Sequence, residues 1–303
     1  MGVTVSSMAG SSRLTSRARV KAELEITAST WDAVFDDLID QASAAIVSYC
    51  NRGFARASYV ETLAGFGDIH LQLARTPIVS VSAVADQNSS VITDYAIEDR
   101  ERGWLYRRAG WLWSAQSYGG LASGGAWLDV GYPLHRQEEP HYSVTYIGGY
   151  VLPSQYINAA TTISAADSDD SFNDSASGFP ANLVAGDVVE ASSFTAAADN
   201  GRFIVVSATT AKIVVDAALT TEAAGSARTL KFRPHADCKR NLDDVEKAAI
   251  ECVKSWYLRR KDDSDVAEKQ AGPMRVRYSE TVGASTVLPP SCVGLLRPWV
   301  RAS

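Results

Sequence analysis

Basic charge is what this sequence is short of. Its 303 residues carry 29 Lys and Arg against 35 Asp and Glu, a formal net charge of −6. Proteins built to hold nucleic acid concentrate cations that displace counterions from phosphates, so the chain as a whole does not read as a dedicated nucleic-acid binder. Long apolar runs are missing too. Although 46% of the residues are hydrophobic, no continuously apolar, uncharged run reaches the ~20 residues that a membrane-spanning helix needs, and a soluble protein is expected. The opening MGVTVSSMAGSSRLTSRAR lacks the apolar centre of a secretory signal. Residues 1–21 read as a flexible tail.

Cysteine is scarce, and Cys50, Cys238, Cys252 and Cys292 show no CxxC spacing. That excludes a zinc ribbon or a disulfide scaffold and leaves buried free thiols in a reducing cytoplasm. Catalytic motifs are lacking as well. Ser123 sits in GLASGG rather than G-x-S-x-G, and there is no P-loop and no dinucleotide fingerprint. The run HRQEEPH offers His135, Glu138, Glu139 and His141, but Pro140 prevents the helical i, i+4 presentation that makes a strong zinc pair. In DSDDSFNDSASG, Asp167, Asp169 and Ser171 alternate as calcium ligands do. The glycine and the closing glutamate of a calcium loop are absent, so an exposed loop is the simpler reading. No catalytic residue, cofactor or metal is expected, and the chain does not read as an enzyme.

What is there is periodicity of two kinds. From Thr30, a candidate N-cap, Trp31, Val34, Phe35, Leu38, Ala42, Ala45, Ile46 and Tyr49 recur at helical spacing, interleaved with Asp32, Asp36, Asp37 and Asp40 and stopped by Asn51-Arg52-Gly53. A second helix starting at Asn241 puts Leu242, Val245, Ala249, Cys252, Val253 and Trp256 on one face. Between them the period falls to two: Ile69, Leu71 and Leu73, then Tyr142, Val144 and Tyr146, alternate with small or polar residues. Residues 154–237 carry short β-branched runs (GDVVE, RFIVVSA, KIVVD) and an Asn200-Gly201 hairpin signal, which suggests a small immunoglobulin-like sandwich. Neither helix has a helical neighbour in sequence, so pairing them buries both stripes. The expected fold is α+β: a discontinuous domain of packed helices and β-hairpins over residues 22–153 and 238–271, carrying an inserted all-β domain over 154–237.

Two stretches stand out. ERGWLYRRAGWLWS packs Trp104, Tyr106, Trp111 and Trp113 around Arg107 and Arg108. A turn at Arg108-Ala109-Gly110 would set the two aromatic pairs across from each other as hairpin core or subunit contact; a stacking platform is the alternative. Past Gly272, Val293, Leu295, Leu296 and Trp299 are core-type residues, but Pro289, Pro290 and Pro298 deny them a long helix. Residues 272–303 read as an extended arm in search of a partner, with folding back on its own domain as the alternative.

The order of these segments, YCNRGF, YVETL, LQLARTPIVSVSAV, DYAIEDRERGWLYRRAGWLW, YSVTYIGGYVLP and LDDVEKAAIECVKSWYLRR, resembles the head-to-tail connector (adaptor, head-completion) proteins of long-tailed bacteriophages. The resemblance covers residues 22–153 and 238–303 and leaves the β-rich insertion aside. It implies a non-enzymatic virion protein, assembled in the host cytoplasm and placed in the neck. About twelve copies would form a closed ring that docks on the portal vertex, extends the DNA channel and receives neck or tail proteins. In that setting Val293, Leu295, Leu296, Arg297, Trp299 and Arg301 become a portal-docking arm. Asp32, Asp36, Asp37 and Asp40 become candidates for a channel lining that repels the passing DNA, or else the solvated face of an amphipathic helix. Two rivals remain: a tail-associated carbohydrate- or surface-binding module that uses the tryptophans, and, more weakly, a metal-dependent hydrolase built on His135 and His141.

Overall fold

The computed structural model describes residues 2–7, 12–65, 67–111, 142–261, 268–271, 274–277 and 288–300. The chain forms two compact units. The first comprises residues 1–9, 56–150 and 234–240, and the second 10–55, 151–233 and 241–303. Helices are thus grouped with residues 151–233, and the stretch 56–150 with residues 1–9 and 234–240.

The first unit holds two antiparallel sheets. Strands β1 (Gly2–Ser7), β2 (Ala57–Leu63), β4 (Ile78–Asp86) and β7 (Tyr142–Gly148) lie in the order β1-β2-β7-β4, and β3 (His70–Gln72), β5 (Ala96–Asp99) and β6 (Trp104–Tyr106) in the order β3-β6-β5. The alternation read from Tyr142, Val144 and Tyr146 is realised, since all three are buried and pack with Tyr59, Leu63, Leu71, Leu73, Ile78, Leu105 and Trp111. One carboxylate sits in this core. Glu61 accepts the Ala74 N–H at 2.9 Å and the Tyr146 hydroxyl at 2.7 Å. Burial, together with the adjacent Glu61, pushes the Tyr146 phenol far above its usual range. A glycine is required beside it, because a Cβ at Gly148 would run into the Arg75 carbonyl. Residues 234–240 are tied to the same unit where Glu101 accepts the N–H groups of Lys239 and Arg240.

The second unit contains helices α1 (Arg17–Glu23), α2 (Asp32–Cys50), α3 (Asp243–Lys261) and α4 (Pro290–Leu296). Helix α2 begins one residue after Trp31, which occupies the N-cap position in place of Thr30 without a side-chain cap bond, and it ends where Asn51 turns left-handed at φ 48°. Phe35, Ile39, Ala42, Ile46 and Cys50 are buried along it. Helix α3 packs on α2, yet the side chain that enters the core is Tyr257 rather than Trp256. The Tyr257 ring lies 4.9 Å from Phe35 and is buried, whereas Trp256 is half-buried. The rest of the expected face holds, since Leu242, Val245, Ala249, Cys252 and Val253 are all buried.

Most of the described residues in the stretch read as a flexible tail belong to regular elements. Strand β1 pairs with β2, Leu14 and Val20 are buried, and the Ser16 hydroxyl caps α1 by accepting the Arg19 N–H.

The rest of the second unit is a seven-stranded antiparallel sheet. Its strands are β8 (Ile157–Ala160), β9 (Ile163–Ala166), β10 (Ser171–Asp174), β11 (Val188–Ser192), β12 (Gly201–Ala208), β13 (Lys212–Val215) and β14 (Arg228–Arg233), in the order β8-β14-β11-β12-β13-β10-β9. A register shift in β12 between Val205 and Ser207 falls where the strand passes from β11 to β13, and such bulges bend a sheet. Phe172, Phe203, Phe232, Val189, Ile213 and Leu230 fill one core. The Asp/Ser run is therefore not simply an exposed loop: Phe172 anchors a strand that pairs with β9 and β13. Asn200-Gly201 does not make a two-residue hairpin either. Residues 193–200 intervene, and the Asn200 amide holds them by bonding the Phe194 N–H and the carbonyls of Phe194 and Ala196. Helix α3 is fastened to this sheet. Buried Arg233 of β14 binds Glu190 of β11 and Asp243 in the first turn of α3, the pairing that a buried guanidinium demands. A short hairpin, β15 (Glu268–Ala271) with β16 (Met274–Arg277), completes the described strands.

Acid should loosen the seven-stranded sheet. The Ala196 and Thr195 N–H groups, together with the Arg228 guanidinium, hold the Glu222 carboxyl below its ordinary value. A carboxylate depressed in the folded state contributes stability above its unfolded pKa and loses it as pH falls through the folded one. We expect the unfolding midpoint to drop as pH is lowered below about 4.5, with Glu222→Gln weakening that dependence in thermal melts followed by circular dichroism. An unchanged slope in the variant would remove Glu222 from the account.

Candidate functional site

The aromatic stretch is split between a core and a surface. Residues 104–106 form β6 and pair with β3 and β5, not with the residues after the turn, so the expected hairpin is replaced by a three-stranded sheet. After a turn closed by the Gly110 N–H on the Arg107 carbonyl, Trp111 bonds back to Asp68 through its backbone. Its indole N–H reaches the carbonyls of Ile69 (3.2 Å) and Leu105 (3.3 Å), its ring meets Tyr142 edge-on at 5.1 Å, and nothing of it is exposed. Trp111 is a core residue of the first unit. Trp113 lies outside the described residues.

Trp104 and Tyr106 remain half-buried on one face of this sheet. His70 of β3 lies between them, 5.2 Å from Trp104 and 5.9 Å from Tyr106, and is held by Glu98 at 2.6 Å. The cation here is not the one expected. Arg102, not Arg107, covers Trp104, with its guanidinium carbon 5.1 Å from the ring. Arg107 is occupied by Asp94 at 2.9 Å and lies against the Trp111 ring. Such a face can stack on a flat or CH-rich surface. Asp68, Glu98 and Asp99 around it disfavour a phosphate.

The acidic face of α2 is a seam. Arg13 binds Asp40 at 2.7 Å and Asp36 at 3.0 Å, Arg17 binds Asp36 at 2.9 Å, and Lys21 binds Asp32 at 2.7 Å. Cations four residues apart on an ascending segment meet carboxylates four apart on a descending one, so the pairs fix register. The Lys21 ammonium holds the Asp32 carboxyl below its ordinary value. Exposed pairs contribute about 0.2–1 kcal/mol each, which makes the seam a guide more than a brace. Asp32, Asp36 and Asp40 are therefore paired with cations rather than bare; Asp37 is exposed. The matching four-residue period of opposite sign in residues 13–21 was the signal available in the sequence.

The C-terminal arm is not an extended docking element. Pro290 occupies the first position of α4, where a missing N–H costs nothing, so proline starts this helix. Leu288, Cys292, Leu296 and Trp299 are buried. The Trp299 ring sits 5.8 Å from Phe54, with the Arg52 guanidinium over it at 5.6 Å. Val293 and Leu295 are half-buried, Arg297 is exposed, and Arg301 lies outside the described residues. The arm folds back: Cys292 and Leu296 share one face of the seven-residue α4, and Leu288 before it and Trp299 after it are buried as well.

Of the metal candidates, His135, Glu138, Glu139 and His141 lie outside the described residues, as does Ser123. In the calcium-like run, Asp169 bonds Ser171 and Lys212, and Asp167 bonds Thr221. Among the described residues no group of His, Cys, Asp and Glu is arranged to hold a metal ion, and no helix is long and apolar enough to cross a membrane.

No family model matches this chain, and no curated protein does. The functional reading rests on the residues themselves.

Proposed function

We propose that this chain is a structural virion protein, the subunit of a ring at the head-to-tail joint of a long-tailed bacteriophage. The observation that carries the reading is the pairing of α2 with α3. Helices from opposite ends of the sequence, the YCNRGF-terminated one and the one containing VEKAAIECVKSWYLRR, meet through Phe35 and Tyr257, in keeping with the discontinuous helical core that the segment order implies. On this reading the ring docks on the portal, extends the channel through which genomic DNA passes without sequence-specific contact, and offers a surface to neck or tail proteins. The net negative charge suits a conduit that must not retain DNA. The seven-stranded segment is then an immunoglobulin-like decoration of the compact connector pattern. Because Leu296 and Trp299 are buried in their own unit, portal contact falls to other surfaces.

A second reading has one observation of its own: the half-exposed Trp104, His70 and Tyr106 row under Arg102 suits the CH-rich face of a sugar, as in a tail-associated carbohydrate-binding module.

Native mass spectrometry and negative-stain imaging of the purified protein, alone and with portal-bearing heads, separate the two. A closed ring of about twelve copies, or its formation on portal heads, is expected. A chain that stays monomeric in both settings and binds a glycan array through Trp104 would replace the ring reading with the second.

A further inference from the structure

The core of the second unit contains two thiols with no assigned role. Cys252 lies in the middle of α3 and Cys292 in the first half of α4; both have no exposed surface, and their sulfurs are 3.1 Å apart. A disulfide bond is about 2.05 Å long, so the sulfurs need approach by only about 1 Å between helices already packed together. We propose that Cys252 and Cys292 are a built oxidation site, at which a small peroxide converts the pair into an intramolecular disulfide that fastens α4 to α3.

The two sulfurs are not equivalent. The Cys252 thiol donates to Cys292 Sγ, which lowers the Cys292 thiol from its ordinary value and raises that of Cys252. The Cys292 thiol in turn donates to the Ala248 carbonyl at 3.3 Å. Because its sulfur accepts the hydrogen bond from Cys252, Cys292 is the sulfur at which a thiolate is stabilised within the pair, and it is the nucleophile. Its thiolate attacks one oxygen of hydrogen peroxide; the O–O bond breaks, and the departing hydroxide takes up the thiol's proton as water, leaving a sulfenic acid on Cys292. Cys252 sulfur then attacks that sulfur. The S–O bond breaks, the S–S bond forms, and the second hydroxide leaves as water with the Cys252 proton. Two thiols and one peroxide yield one disulfide and two waters, and the peroxide is the electron acceptor.

Burial selects the oxidant. Hydrogen peroxide is little larger than water and can reach a packed core through small fluctuations, whereas a bulky disulfide reagent cannot enter without opening α4. Selectivity within the chain follows from the other two cysteines. Cys50 is buried, and burial raises its thiol to about 11, which keeps it protonated. Cys238 is partly exposed and is the competing site. The cross-link is independent of the ring reading and is tested on the isolated full-length chain.

The purified protein is exposed to hydrogen peroxide, quenched with catalase, unfolded and alkylated, then digested without reductant. The expected result is a peptide pair joined through Cys252 and Cys292, lighter by two hydrogens than the sum of its parts. A rise of about 5 °C in the thermal midpoint, reversed by dithiothreitol and absent in Cys252→Ser, should accompany it. The proposal is overturned if Cys252 and Cys292 both remain alkylatable after exposure that oxidises Cys238, or if Cys292 runs on to sulfinic acid without any linked peptide. Because the peptide map is read on the unmodified sequence, it holds even if the serine variant fails to fold.

Discussion

A chain that stops before Leu288 is expected to lose the cooperative unfolding transition of its second unit. The removed segment buries Leu288, Cys292, Leu296 and Trp299. Each large apolar side chain taken fully out of water contributes about 1.5–3 kcal/mol. Together they rival the about 5–15 kcal/mol by which a whole domain is stable. The loss is compounded because Val253 and Ala249 of α3 and Phe54 are themselves buried, so their apolar surface would need new cover. Thermal melts by circular dichroism and dye binding to exposed apolar surface are the measurements. Leu296→Ala gives a graded version, expected to cost about 2–5 kcal/mol. A truncated chain with an unchanged midpoint would return the segment to the status of a free arm.

Trp111→Ala should cost about 3–5 kcal/mol, and Trp104→Ala under about 1 kcal/mol, although the two residues stand seven positions apart in one aromatic run. Trp111 is sealed between Tyr142 and the Arg107 guanidinium, and its indole N–H bonds two carbonyls. Deletion leaves a cavity and removes that donor at once. Trp111→Phe keeps most of the volume and isolates the loss of the donor, about 0.5–1.5 kcal/mol. Urea unfolding followed by far-ultraviolet circular dichroism reads all three without relying on tryptophan emission. Equal costs at Trp104 and Trp111 would mean that the core and surface faces have been assigned wrongly.

These residues also mark where the sequence was legible. Strand β7 was readable because Tyr142, Val144 and Tyr146 alternate without interruption, and α2 and α3 because their apolar residues recur at helical spacing over five turns. The exchange of Trp256 for Tyr257 shows the limit of that signal. Two adjacent aromatics both fit a 3.6-residue period, and only the position of Phe35 on the partner decides between them. Phe172 was hidden for a different reason: a single apolar residue among aspartates and serines carries no periodicity, yet one fully buried ring suffices to hold a four-residue strand between two neighbours. Trp111 and Trp104 could not be told apart because composition is the same on both sides of the turn, and long-range bonding to Asp68 and Ile69 settles which one goes inside. The cation partners of the acidic face went unread because charge was counted on one helix alone, while its complement lay in residues set aside as a tail.

The pairing of α2 with α3 also sets an order of events during synthesis. Helix α2 leaves the ribosome with Phe35, Ile39 and Ile46 on its apolar side, but Tyr257 and the other residues of α3 that cover them come roughly 200 residues later. At about 5–20 residues per second that is a wait of about 10–40 s. Strand β1 is translated before α2 and the other described strands of the first unit in the interval, so that unit can close its own core. The helical core of the second unit forms last, and until then α2 is an uncovered amphipathic helix on the nascent chain, the segment that chaperones will meet and that a slow codon upstream of Asp243 would leave open longest.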